Sequence, residues 1–521
     1  MLNGLSSTEV AISVGHESYP CDPPYSPGIC YPEYPHGSET VAGTANQAYE
    51  AVRETLRLLG LDATHYGQGE WNPFGGLIRP GHTVVLKPNF VREVRQTQAG
   101  HGDCTITHGS VIRAALDYAY IALRGQGRLI IADAPNSDAN FDAIRRIAGL
   151  DEMQAFYRRR ADFHVEIYDL RPAQARKVDG VICGHERLPG DPAGYVKVDL
   201  GQYSMFTEIE HLSHLLYGSE YDTREIRAHH RTGLHEYLLS RTIMDADCVI
   251  NLPKLKTHKK TGITVCMKNL VGINGNKNWL PHHRLGTPSQ GGDQFADNGR
   301  KHCLERETMA CFRRVFPLLG PMRAILARPL KAAGQAVFGN TNTDTIRSGN
   351  WYGNDTTWRM VTDLNRIFMH FDGDGISVQG PGRRMLSLVD AIVAGEGNGP
   401  MDPTPRAMGM VVGGMNPVAV DLACARLMGF DHLRMPLLRR ALVRDGLPAL
   451  MMCDYEDIRC RSNALEFNRA LHEFRQTLGV FRPSFGWLGH IEREEAQAVE
   501  DSERFAPLVA DRGHRRIAGA D

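Results

Sequence analysis

Apolar runs alternate with helical periodicity along most of the chain. Val10–Val14, Thr83–Leu86, Arg128–Ala132 and His164–Tyr168 read as strands. Between them, Asn46–Leu59, Ser110–Leu123 and Phe141–Ile147 carry apolar positions at helical spacing, with Val111, Ala114, Ala115, Tyr118 and Ala119 on one face of the second. Strands that are continuously apolar and separated by helices predict βαβ units and a mostly parallel sheet covered on both faces. The rhythm breaks from Leu170 to about His235, a polar, turn-rich stretch with short alternating pieces such as Tyr195–Leu200, read as a partly β insertion. It resumes at Cys248–Leu252. A second irregular region, 274–352, holds PHHRLGTPSQGGDQF at Pro281–Phe295, and loops of this length are commonly functional. Thr357–Phe368 and Val418–Leu427 then read as helices, Met385–Val393 and Met408–Gly413 as strands. The last seventy residues read as helix-rich, ending in the charged tail Arg512–Asp521. The expected fold class is α/β, a mostly parallel sheet with flanking helices interrupted by two long irregular insertions. Boundaries fall at 1–170, 171–240, 241–275, 276–352, 353–432 and 433–521.

Composition narrows the partners. The chain has 521 residues, 42% apolar and 23% charged, with a net charge of −1. That balance gives no basic field for nucleic acid. No run is long and apolar enough to span a membrane. Pro317–Gly339, with Arg323, Arg328 and Lys331, reads as a kinked amphipathic helix over the core or one lying on a membrane surface. The eleven cysteines contain no Cys-x-x-Cys pair. With no signal peptide, reduced thiols and a cytoplasmic setting are expected, although Cys21 and Cys30 flank a Pro-rich loop and could pair in an oxidising compartment.

Candidate chemistry concentrates after Cys248–Leu252. Pro253 releases Lys254, Lys256, His258, Lys259, Lys260 and Lys268, five lysines and a histidine within fifteen residues. Several predicted strands end in polar groups: Lys87 and Asn89, Asp133, Lys254 and Lys256, Glu396 and Asn398. Parallel strands would bring these ends to one rim, where open α/β sheets bind ligands. A cationic pocket for an anion is the reading, with Lys87, Asn89, Lys254, Lys268, Asn269 and Asn398 as binding groups. Lys256, His258 and Glu396 are the candidate catalytic groups, since a buried lysine of lowered pKa serves as base or nucleophile. Lys259 and Lys260 read as surface charges. Asp363 and Asp390 are candidate ligands for a divalent metal; His258, His282, His283 and His108 are a weaker set for a transition metal. GEGNGP at Gly395–Pro400 is a weak candidate phosphate-cradling loop, and Trp351, Tyr352 and Trp358 stack on a sugar or base, or cap the core.

The chain resembles the DUF362 family, whose function is unassigned. The resemblance lies in LKPN at Leu86–Asn89, TITHGSVIRAAL at Thr105–Leu116, NLPKLKTHKKTGITVCMKNLVG at Asn251–Gly272, VDAIVAGEGNGP at Val389–Pro400 and NPVAVDLACARLMG at Asn416–Gly429. Some members carry ferredoxin-type cysteine motifs; this chain has none, so no iron–sulfur cluster is expected. PHHRLGTPSQGGDQF and GNWYGNDTTWRMVTDLNR resemble a longer branch associated with surface-polysaccharide genes. A fainter likeness, in the order His258, Thr261-Gly262, Lys268, is to lactate-racemase-like proteins that hold a nickel-pincer cofactor.

The expected function is an enzyme acting on an anionic small molecule, a nucleotide-sugar, phosphate or carboxylate. The alternatives are a non-catalytic anion-binding or assembly protein, and a lactate-racemase-like metal- or cofactor-dependent enzyme. Cofactor, reaction and oligomeric state are left open.

Overall fold

The computed structural model describes residues 4–93, 104–178, 181–219, 223–315, 345–378, 383–444, 446–475 and 477–493, with a few isolated positions between 325 and 332. Most of the Pro317–Gly339 segment and all of the Arg512–Asp521 tail lie outside the described residues.

The main sheet uses β1 (Glu9–Val14), β2 (Thr83–Pro88), β3 (Arg128–Asp133), β4 (Val165–Asp169), β5 (Cys248–Leu252), β6 (Lys254–His258), β7 (Gly262–Thr264), β8 (Arg384–Asn398), β9 (Asp402–Gly414) and β10 (Arg459–Ser462). Their order is β10-β1-β9-β8-β5-β2-β3-β4, with β6 and β7 extending the sheet beside β8. The run β8-β5-β2-β3-β4 is parallel throughout. Strand β9 is antiparallel to both β8 and β1. This is the expected α/β architecture.

The parallel strands are continuously apolar because both faces are covered. Successive residues of a strand face opposite sides. Val84, Leu86, Leu129, Ile131, Cys248 and Ile250 accordingly join one core with helices α1 (Gln47–Leu58) and α2 (Gly109–Leu123). Val85, Ile130, Ala132 and Val249 join the other. That second core includes α4 (Thr357–His370) and α5 (Pro417–Leu427); a short helix, α3 (Cys266–Asn269), precedes them in the chain. The helix starts are locally specified: Asn46 caps α1 through Tyr49 N–H, and Asn416 caps α5 through the Val418 and Ala419 N–H groups, with Pro417 at the first turn.

The 171–240 stretch forms a hairpin, Ala173–Val178 against Val181–Arg187, and a small sheet of Tyr195–Asp199, Leu234–Ser240 and His230–Arg231. Three expectations differ from the structure. The 276–352 region, read as irregular, contains a helix, Arg300–Val315. The GEGN stretch is strand, not loop: β8 continues to Asn398 and pairs with β9 down to Asn398–Asp402. No helix start follows it, so it does not form the helix-terminal cradle that binds phosphate. Beyond Met452 the described residues hold three-residue 3-10 turns and β10 in place of the expected helices. Among the described residues no helix is long and apolar enough to cross a membrane.

Candidate functional site

The C-terminal ends of β2, β3 and β5 converge, and the chain continues from β5 through Pro253 into β6. Lys87, at the end of β2, pairs with Asp133, at the end of β3, at 2.7 Å, with both side chains buried. Asp133 also accepts the Phe90 N–H at 2.9 Å. Gly272 passes directly over this pair, and a Cβ there would lie 2.0 Å from Asp133 Oδ1 and 2.5 Å from Lys87 Nζ. Only glycine permits that approach.

An amide relay runs inward from Lys256. Its Nζ donates to Asn89 Oδ1 at 2.9 Å and to the Thr105 carbonyl. Asn89 Nδ2 donates to Asn269 Oδ1 at 2.9 Å, and Asn269 Nδ2 donates to Asn251 Oδ1 at 2.8 Å. Thr107 ties the neighbouring backbone, its hydroxyl donating to the Leu252 carbonyl at 2.6 Å and accepting the Asn89 N–H at 2.9 Å. The TITH stretch thus works through its backbone and hydroxyls. Helix α3, which carries Lys268 and Asn269, is held at its start by Asp421 of α5, which accepts the Cys266 and Met267 N–H groups at 2.7 and 3.1 Å. Burial raises the Asp421 carboxyl to about 7.

Lys254 has a different partner set. It pairs with Asp390 at 3.0 Å, both fully buried, and donates to the Tyr19 hydroxyl at 2.7 Å. Tyr19 in turn donates to Asp390 at 2.5 Å and stacks on His108 at 4.1 Å. Leu255, between the two lysines, is buried in the core.

The remaining lysines are not neutralised in this way. Burial lowers Lys256 to about 7, and Lys254 and Lys268 push it the same way. Lys260 is lowered to about 7 by burial, against the pull of Asp293 and with Lys259 and Lys268 adding to the fall. Lys277 is lowered to about 7 by burial, against Asp133, with Lys87 and Lys268 contributing. Lys268 itself drops to about 8 through burial and Lys87. Burial, then Lys268 and Lys260, hold His258 well below its usual range; burial and the same two lysines put His282 at about 3. Lys268 is therefore the common neighbour of Lys256, Lys260, Lys277, His258 and His282. Lys260 donates to the Ser348 carbonyl at 2.5 Å, and Lys277 to the Val271 and Asn274 carbonyls at 3.0 Å each. Among the described residues the Lys268 side chain has no hydrogen-bond or ion-pair partner.

The structure brings together Lys87, Asn89, Lys256, His258, Lys268 and Asn269, with Lys254 adjoining through β6. Glu396 stands apart, accepting from Arg406 at 2.9 Å and from the Arg482 N–H at 3.2 Å in the β8–β9 extension. Asn398 lies at the far end of that extension, opposite Asp402. Asp363 and Asp390 do not meet: Asp363, on α4, accepts from Ser204 and Tyr237 hydroxyls and the Met205 N–H. Among the described residues no three His, Cys, Asp or Glu side chains form a metal-holding group. Lys260, read as a surface charge, belongs to the cluster, as does Lys277, which the sequence did not single out. Tyr19 was equally unmarked, lying 235 positions from Lys254.

Fold and site together define an α/β protein with a cluster of buried lysines at the carboxyl ends of its parallel strands. Residues 202–426 match the family model described as "Domain of unknown function (DUF362)". The match contains the Asn251–Gly272 and Val389–Pro400 motifs; LKPN and TITHGSVIRAAL lie upstream of it. No curated protein matches. Among solved structures, the crystal structure of a Thermotoga maritima protein is 12% identical over 73% of this chain, with a TM-score of 0.30. The chain covers 58% of that protein's length.

Proposed function

We propose that the rim binds an anionic small molecule, a phosphate or carboxylate compound, around Lys268, and that the protein is an enzyme acting on it. The carrying observation is that Lys256, Lys260, Lys268 and Lys277 crowd one site while the nearby carboxylates Asp133 and Asp390 are paired with Lys87 and Lys254. Like charges at this spacing repel strongly in a low-dielectric setting, and a bound anion relieves that repulsion. The enzymatic reading is supported by Lys256, whose amine near 7 suits proton transfer at neutral pH, with a neutral His258 two residues on. Glu396 is left out of this reading because of its pairing with Arg406. The saturation of Asp133 and Asp390 by lysines favours the second reading, a binding protein without an acid to spare for catalysis.

The test is calorimetric titration of extensively dialysed protein with phosphate and pyrophosphate, alongside Lys268→Met. Binding by the wild type that weakens at least tenfold in the variant is the expected result. No binding of either anion at millimolar concentration, or equal affinity in the variant, overturns the anion-site reading. Native mass spectrometry with metal analysis then identifies any co-purifying ligand.

A further inference from the structure

A cavity of about 230 Å³ opens beside the lysine cluster, between the 171–240 insertion and the core. Lys277 belongs to both: it lines the cavity and is electrostatically coupled to Lys268 and Lys87. The opposite wall is the insertion's hairpin. Ala173 and Ala175, two apart on one strand and hence on one face, line it, and so does His185, the cross-strand neighbour of Ala175. Glu225 and Asn276 complete the polar part of the wall. Glu225 is held rigidly, accepting from Asn276 at 2.7 Å, Trp279 at 3.0 Å and Asn278 at 2.8 Å.

We propose that this cavity is the second half of the substrate site and takes a sugar ring whose phosphate or carboxylate lies on the lysines. The inference rests on the anion site proposed above and names its substrate class as an anionic sugar. Two features carry it. The wall mixes small apolar side chains with an amide, an imidazole and a fixed carboxylate, groups that hydrogen-bond hydroxyls. No Phe, Tyr or Trp is among the residues lining it, so a nucleobase finds no stacking platform there. Lys277 joins the two halves, lining the cavity while electrostatically coupled to Lys268 and Lys87.

The experiment compares glucose 6-phosphate, glucuronate, AMP and inorganic phosphate by calorimetry on the full chain. Two variants fill the cavity and leave every lysine of the cluster in place, Ala173→Phe and Ala175→Leu. The wild type is expected to bind at least one of the two anionic sugars at least tenfold tighter than phosphate, and AMP no tighter than phosphate. Glucose 6-phosphate against glucuronate decides whether the anion is phosphate or carboxylate. Either variant is expected to erase the sugar's advantage while phosphate affinity stays within twofold. Equal wild-type affinity for phosphate and both sugars, or an advantage that survives in a folded variant, overturns the cavity inference alone. Absence of all binding overturns the anion site beneath it. If neither variant folds, the wild-type ratio of sugar to phosphate decides.

Discussion

Replacing Lys268 by methionine deletes a positive charge that sits among others of its own sign. Its amine falls from the ordinary 10.5 to about 8 in the folded chain. Between those two pH values the unfolded chain holds a proton that the folded chain has released. Folded stability therefore falls as pH drops through the window, and the penalty is complete below about 8. At about 1.4 kcal/mol per pH unit the shift corresponds to roughly 3 kcal/mol. Lys268 is partly exposed, and solvent screening reduces this to about 1–2 kcal/mol. Methionine keeps the packing of the stem. Anion-free Lys268→Met is thus expected to be more stable than the wild type at pH 7 by about 1–2 kcal/mol, with the difference vanishing above about pH 10.5. Urea unfolding followed by circular dichroism, at pH 7 and again at the alkaline end, measures both values. Added phosphate reverses the order, since a ligand at 100 times its Kd stabilises the wild type by about 2.7 kcal/mol and the variant by less. A variant destabilised at pH 7 in anion-free buffer would refute the reasoning, because it would mean that Lys268 has a counter-charge.

Phosphate affinity is expected to fall at least tenfold from pH 6 to pH 9, because Lys256, Lys260 and Lys277 near 7 and Lys268 near 8 lose their protons as pH rises; a flat calorimetric profile would separate these amines from binding. Lys87→Met should cost roughly 3–5 kcal/mol by leaving Asp133 buried and unpaired, and Lys87→Met/Asp133→Leu should recover most of it in the same urea titration. Glu396→Gln should change stability by less than about 1 kcal/mol and leave phosphate affinity unaltered; a tenfold loss of affinity would return Glu396 to the site.

The linear pattern determined the elements and their class. Apolar runs of strand length separated by helical periodicity have few packings, and β2, β3, β5, α1, α2 and α5 lie within a residue or two of where that pattern places them. The concentration of lysine after Cys248 was likewise visible in the chain, as was the convergence of strand ends that parallel order requires. What the chain alone left undecided was which charges meet. Lys87 and Asp133 are 46 positions apart, and Lys254 takes its partners from β8 and from Tyr19 in the N-terminal segment. Lys260 looks like an ordinary surface lysine until the fold sets it against the His282 and Ser348 carbonyls, and Lys277 until its amine turns onto those of Val271 and Asn274. The GEGN stretch reads as a loop because of its glycines, but tertiary pairing with β9 makes it strand. Its Gly395 is needed there because a Cβ would come within 3.0 Å of the Cys104 carbonyl and the Lys256 Cβ. Hydrophobic periodicity is a property of neighbours along the backbone, so it can be read locally. Charge pairing, desolvation and the resulting pKa values depend on distances through space between residues far apart in the chain, and only the folded structure sets those.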